Sequence, residues 1–256
     1  MTMTMTMTQT LPAVITPDLS TQIDALARRY ARANGPVMRL VNRFGSALES
    51  QLAMVPDRYR SQIDRATAQA LDAAYGIASR APSLGDRGGM AALVASGAAG
   101  GAGGLATALA ELPVSVTLML TAIRAEAEAA GFDPDAPAIR AECLRVFGAG
   151  SPLASDDGVN TTFLTARLSV TGQAVQNIIT AVAPKLAAAL GPKLAAQAVP
   201  VLGAVSGAAL NAAFLTYYRE IARIRFALLR LAETHGADTV LDAFAKAVEP
   251  PRITRA

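Results

Sequence analysis

One carboxylate stands by itself in this chain. Glu111 is the only formal charge between Arg87 and Arg124, and a carboxylate in so apolar a run costs several kcal/mol if it is buried without a partner. It therefore needs a cation or water. Two readings are open: a site that binds a headgroup or handles a proton, or a helix-end carboxylate, exposed beside Pro113 or paired with an arginine such as Arg219 or Arg223. Asn211, three residues before Phe214, falls on the apolar stripe of a long C-terminal helix. Its amide needs hydrogen-bond partners there, and the expected one is the glycine-rich stretch from Gly97 to Gly104. Asp133, in the turn Phe132-Asp133-Pro134, would converge with Glu111 and Asn211 on a wet pocket if the chain carries out chemistry. Arg219, Arg223, Arg225 and Arg230 fit either anionic lipid or a solvated face paired with Glu220.

Other chemistry has little material. With one histidine and one cysteine in 256 residues, an intramolecular disulfide is excluded, and a multi-histidine metal site or a serine–histidine–aspartate triad is left with His235 alone. His235 precedes Gly236 and reads as a cation at a helix C-terminus. Cys143 has no histidine in local reach and reads as an inert buried thiol. Asp156 and Asp157, next to Gly158 and Asn160, lack the longer ligand series of a calcium loop. Gly101 to Gly104 has neither the lysine of a phosphate loop nor a strand before it, so a nucleotide site is not expected. No metal, no cofactor and no catalytic residue is assigned. The net charge of +3 comes from interspersed charges without a basic run, which gives no footprint for nucleic acid.

The elements that position these residues are helical. The chain is 52% apolar but only 5% aromatic, and the alanine that supplies much of the apolar content favours close helix packing over sheet. The pattern predicts a single all-α bundle of eight to ten helices over 16–248, after a disordered Met-Thr leader at 1–15 and before a loose tail at 249–256. Helices are expected from a Thr16 cap to Gly35, from Pro36 to Met54, and from Pro56 to Ile77. After a break at 82–89 comes the Gly/Ala segment, with Pro113 restarting a helix that ends at Gly131. Further helices are expected over 136–147, from Thr161 to Pro184, over 200–234 and over 239–248, with a polar loop at 148–160 and a hinge at Gly191-Pro192. Gly97 with Gly101, Gly100 with Gly104, and Gly203 with Gly207 keep a four-residue spacing that lets another backbone approach closely. They predict a central Gly/Ala-rich helical hairpin packed on a later glycine segment. Residues 88–110 and 194–218 carry no charge and are long enough to cross a bilayer, although Gly and Ala drive insertion weakly. A buried or interfacial role is the expected one. The N-terminal residues show no basic and apolar secretory pattern, so a cytoplasmic location is expected.

Four blocks carry a resemblance. Gly97-Ala98-Ala99-Gly100-Gly101 through Gly104-Leu105, Glu111-Leu112-Pro113, Gly131-Phe132-Asp133-Pro134 followed by Leu144-Arg145-Val146-Phe147, and Pro200-Val201-Leu202-Gly203-Ala204-Val205 into Asn211-Ala212-Ala213-Phe214 follow one another in the order of the EcsC family of bacterial proteins. The chain resembles that family over roughly 56–248, with Glu111 where the family often has Asp. The resemblance implies a helical fold and a membrane-related setting, not a reaction. The expectation is a non-enzymatic protein at the inner face of the membrane whose partners are anionic lipid or an acyl chain. The alternatives are a lipid- or peptide-active hydrolase working through Glu111 and loop carboxylates, and an adaptor for a membrane protein complex.

Overall fold

The computed structural model describes residues 18–33, 57–78, 80, 85–149, 172–196 and 202–248. Among them are eight α-helices and no strand: α1 (Leu19–Ala33), α2 (Asp57–Ile77), α3 (Gly85–Ala102), α4 (Leu105–Ala129), α5 (Pro137–Val146), α6 (Gly172–Ala196), α7 (Leu202–His235) and α8 (Ala237–Val248). A 3-10 turn, Phe147–Ala149, follows α5. The protein is an all-α bundle. Of the loop expected at 148–160, Gly148 and Ala149 belong instead to the buried 3-10 turn. The rest of it, the start of the helix expected from Thr161, the leader, the helix expected at 36–54 and the tail lie outside the described residues.

The longest helix, α7, organises the bundle. At 1.5 Å per residue its 34 residues reach about 51 Å, and α3, α4, α1 and α8 all pack on it. Phe214, Tyr218, Ile221 and Phe226 recur on its buried side, and the Tyr218 ring meets those of Phe147, Phe214 and Tyr217 within 6.1 Å. The α3–α4 hairpin lies along its first half, with α3 running opposite to α7 and α4 parallel to it. α2 packs on α4 and α6, while α1 and α8 cover the far half of α7, joined by the edge-on pair Tyr30 and Phe244.

Several boundaries differ from the sequence reading, each for a local reason. Asp18, not Thr16, caps α1: its carboxylate accepts the Thr21 amide at 3.0 Å. The break expected at 82–89 is over by Gly85, because Gly88 and Gly89 already belong to α3. Pro113 does not restart a helix but lies inside α4. It leaves the Leu109 carbonyl without an amide, a loss tolerable on the exposed side of the helix. Likewise α6, described from Gly172, runs through Pro184 and Gly191-Pro192 without a hinge. The turn between α3 and α4 rests on Gly104, at φ 80° and ψ −161°, a conformation that only glycine adopts without strain. Gly236, at φ 83°, ends α7 directly after His235.

Candidate functional site

Glycine lets a polar cluster form inside the hairpin. A Cβ built on Gly100 would lie 2.9 Å from Cβ and Cγ of Glu111, and one on Gly97 would lie 2.6 Å from Nδ2 of Asn211 and collide with the Gly207 carbonyl. The bare faces at Gly97 and Gly100 therefore admit α7 and the Glu111 side chain together. This is the packing of glycine segments expected from their spacing, with Gly97 against Gly207. Gly101 is buried in α3, and Gly203 lies in the first turn of α7.

Glu111 is turned inward and fully engaged. Its Oε1 accepts from Ser96 Oγ at 2.6 Å, from Asn211 Nδ2 at 3.0 Å and from Ser115 Oγ. Its Oε2 accepts from Lys193 Nζ at 2.8 Å, and Nζ also lies 3.4 Å from Ser115 Oγ. Ser115 stands one helical turn after Glu111, on the same face of α4. Asn211 Nδ2 reaches the Leu93 carbonyl at 2.8 Å as well, which ties α7 to α3 one turn before Gly97, while its buried Oδ1 has no partner among the described residues. The Glu111 side chain is 6% exposed and that of Lys193 0%. Burial alone would raise the Glu111 carboxyl. The Lys193 charge and the hydrogen bonds from Lys193, Ser115 and Ser96 outweigh it and hold the group below its ordinary 4.5. Burial pulls the Lys193 ammonium below its ordinary 10.5, partly opposed by Glu111.

The partner of Glu111 is thus a lysine on α6, not Arg219 or Arg223. The register of the parallel helices explains the difference. Asn211 is level with Glu111 and Ser115, and Arg219 and Arg223 follow about 12 and 18 Å further along α7, beside Glu126. Arg223 holds Glu126 through two contacts of 2.8 Å, Arg219 joins at 3.4 Å, and Glu220 links Arg223 to Arg29 of α1. Asp133 does not meet Glu111 either. It is exposed in the turn after α4, where its carboxylate accepts the Asp135 amide, and about 27 Å of helix separates Glu111 from Ala129. At that end Arg230 donates to the carbonyls of Ala130 and Gly131 and lies over the Phe132 ring, closing the C-terminus of α4. Arg225 is buried against Glu142, which also pairs with Arg145. The neighbouring Cys143 thiol is pushed by burial to about 12. Asp156 and Asp157 lie outside the described residues, among which no group of three metal-ligating side chains occurs.

Sequence reasoning missed Lys193, Ser96 and Ser115. The four-residue step from Glu111 was a usable signal for Ser115, whereas nothing local points to Lys193. A serine beside a lysine can act as a nucleophile and base only if the lysine is neutral and a substrate can reach the hydroxyl. Here the lysine is paired with a carboxylate, and both Ser115 and Lys193 are 0% exposed. The arrangement fixes α3, α4, α6 and α7 to one another.

The outer side of the same hairpin is its opposite. From 88 to 123 the only charge is Glu111, and the other polar side chains are the hydroxyls of Ser96, Thr107, Ser115, Thr117 and Thr121. Each donates within the protein: Thr107 to the Gly100 carbonyl, Thr117 to that of Pro113, Thr121 to that of Thr117, and the two serines to Glu111. The exposed residues described from 88 to 123 are Ala91, Ala95, Ala99, Ala102, Gly103, Ala106, Thr107, Ala110, Pro113 and Val114, with Val205 and Ala209 exposed at the start of α7. Val114 is 51% and Val205 72% exposed. One described segment, Ala106–Ala129, is long and apolar enough to cross a membrane.

The described residues thus form an all-helical bundle built around a glycine-packed hairpin with a buried Glu111–Lys193 pair. Residues 89–231, more than half of the chain, match the EcsC protein family, and the chain belongs to that family. No curated protein and no solved structure matches it.

Proposed function

We propose that this EcsC protein is a non-enzymatic, membrane-associated protein that beds the outer side of its α3–α4 hairpin, with the start of α7, against lipid. The observation that carries this reading is the treatment of polar groups from 88 to 123: the one carboxylate is folded inward onto Lys193 and all five hydroxyls donate to protein acceptors. Water does not require such thrift, because an exposed hydroxyl is solvated at no cost. Next to hydrocarbon each unpaired donor is expensive, and threonine meets the need by bonding back to its own helix. Small outward side chains make the driving force modest, as suits shallow contact. The test is flotation of the purified full chain with neutral and anionic vesicles, followed by a high-salt wash. Flotation that resists the wash is the expected result. Protein that remains at the bottom with both vesicle types overturns the reading and turns attention to a protein partner for the same surface.

A further inference from the structure

We propose that the Glu111–Lys193 ion pair is a latch that holds the α3–α4 hairpin in the closed bundle, and that neutralising Glu111 lets the hairpin enter the bilayer more deeply. This rests on the membrane reading above and adds its regulation. α3 is 18 residues long, and α4 from Leu105 to Ile123 is of similar length, so each reaches about 27 Å, close to the thickness of a hydrocarbon core. Within 88–123 nothing but the Glu111 carboxylate opposes entry.

The carboxylate is satisfied from two sources. Oε1 takes its donors from Ser96 and Ser115 of the hairpin itself and from Asn211 of α7, whose residues 202–218 are also uncharged. Oε2 is held by Lys193 alone among the described residues. Lys193 belongs to α6, outside the uncharged unit, so this contact spans the boundary along which the unit would part from the bundle. Protonation of Oε2 ends the ion pair and leaves the unit neutral, while the Lys193 ammonium stays with α6 and returns to water. No other described charge faces the carboxylate. α3 has none after Arg87, α7 has none before Arg219, Tyr217 and Tyr218 are buried in the aromatic cluster, Lys185 of α6 is exposed, and so are Asp64, Arg65 and Asp72 of α2. Because Lys193 holds the Glu111 carboxyl below 4.5, the intact latch stays closed at neutral pH and acid opens it only below that value.

The test places a fluorophore on an Ala106→Cys variant of the full chain, where the buried Cys143 thiol stays unlabelled, and reads depth in phosphatidylglycerol–phosphatidylcholine vesicles with shallow and deep lipid quenchers. The otherwise unaltered chain is expected to report a shallow probe at pH 7 and a deep one below pH 4.5. A Glu111→Gln/Lys193→Met chain, which has no charge to latch, is expected to report a deep probe at both. Lys193→Met alone leaves the carboxylate buried without its cation. Its transition is expected to move upward by about one pH unit or more. A shallow probe in the double variant on vesicles that do float the protein, or an unmoved transition in Lys193→Met, overturns the latch but keeps the membrane reading. Failure of every form to float overturns both. The unaltered chain alone, compared at the two pH values, decides the question even if a variant does not fold.

Discussion

Replacing Lys193 by methionine keeps an unbranched side chain one atom shorter and removes its charge, leaving the Glu111 carboxylate, 6% exposed in the parent, with no cation. Three donors remain on Oε1, but Oε2 loses its partner. Breaking a buried pair from one side costs about 3–5 kcal/mol, and for a chain of this size that lowers the melting temperature by roughly 10 °C. Replacing both partners, as in Glu111→Gln/Lys193→Met, removes the stranded charge, and the double variant is expected to lie within about 1 kcal/mol of the parent. The sign with pH follows. In Lys193→Met, burial without the cation raises the Glu111 carboxyl above 4.5, so the deficit shrinks as the pH falls through the raised value. Urea unfolding followed by helical circular dichroism at pH 7 and pH 5 measures all of this in a double-mutant cycle. A Lys193→Met loss below 1 kcal/mol, or a double variant no more stable than that single one, would refute the buried-pair account.

Other consequences follow from the same geometry. Gly97→Ala drives a methyl group into the Gly207 carbonyl and the Asn211 amide, backbone and a buried side chain that cannot swing aside, and is expected to cost about 1–3 kcal/mol in urea unfolding. Gly104→Ala must occupy φ 80° and ψ −161° and is expected to cost a similar amount, about 1–3 kcal/mol, read by the same assay. The lowered Glu111 carboxyl contributes stability that is present above 4.5 and is lost as the pH falls through its folded value. Glu111→Gln should remove that part of the acid slope in unfolding curves between pH 6 and 3. Cys143, buried with its thiol near 12, is expected to react with a thiol reagent at pH 8 only after denaturant is added.

The helical class, the glycine-packed hairpin and the need of Glu111 for a partner were legible because each depends on local pattern: spacing of apolar residues, spacing of glycines, and one charge in an uncharged run. Asn211 was legible for the same reason, as an amide on an apolar stripe. The partner of Glu111 was not. Lys193 lies 82 residues away on another helix, and only the packing of α6 against α4 brings it there. Arg219 and Arg223 looked suitable by charge, yet the parallel register of α4 and α7 sets them beside Glu126. The misread prolines share a cause. Pro113 and Pro184 sit on exposed sides of long helices whose opposite sides are buried, and tertiary packing outweighs the one hydrogen bond that each removes.

The most direct test of the account is to put a charge on the outer side of the hairpin without disturbing its inner side. Ala95 and Val205 both face out, Val205 at 72% exposure, so Ala95→Glu/Val205→Glu should leave the unfolding curve within about 0.5 kcal/mol per site of the parent. Against lipid each carboxylate carries a penalty of up to about 3 kcal/mol at bilayer depth and less near the interface. Partition of the double variant into neutral vesicles is expected to fall at least about tenfold, roughly 1.4 kcal/mol, with folding unchanged. Equal partition of parent and variant would contradict it.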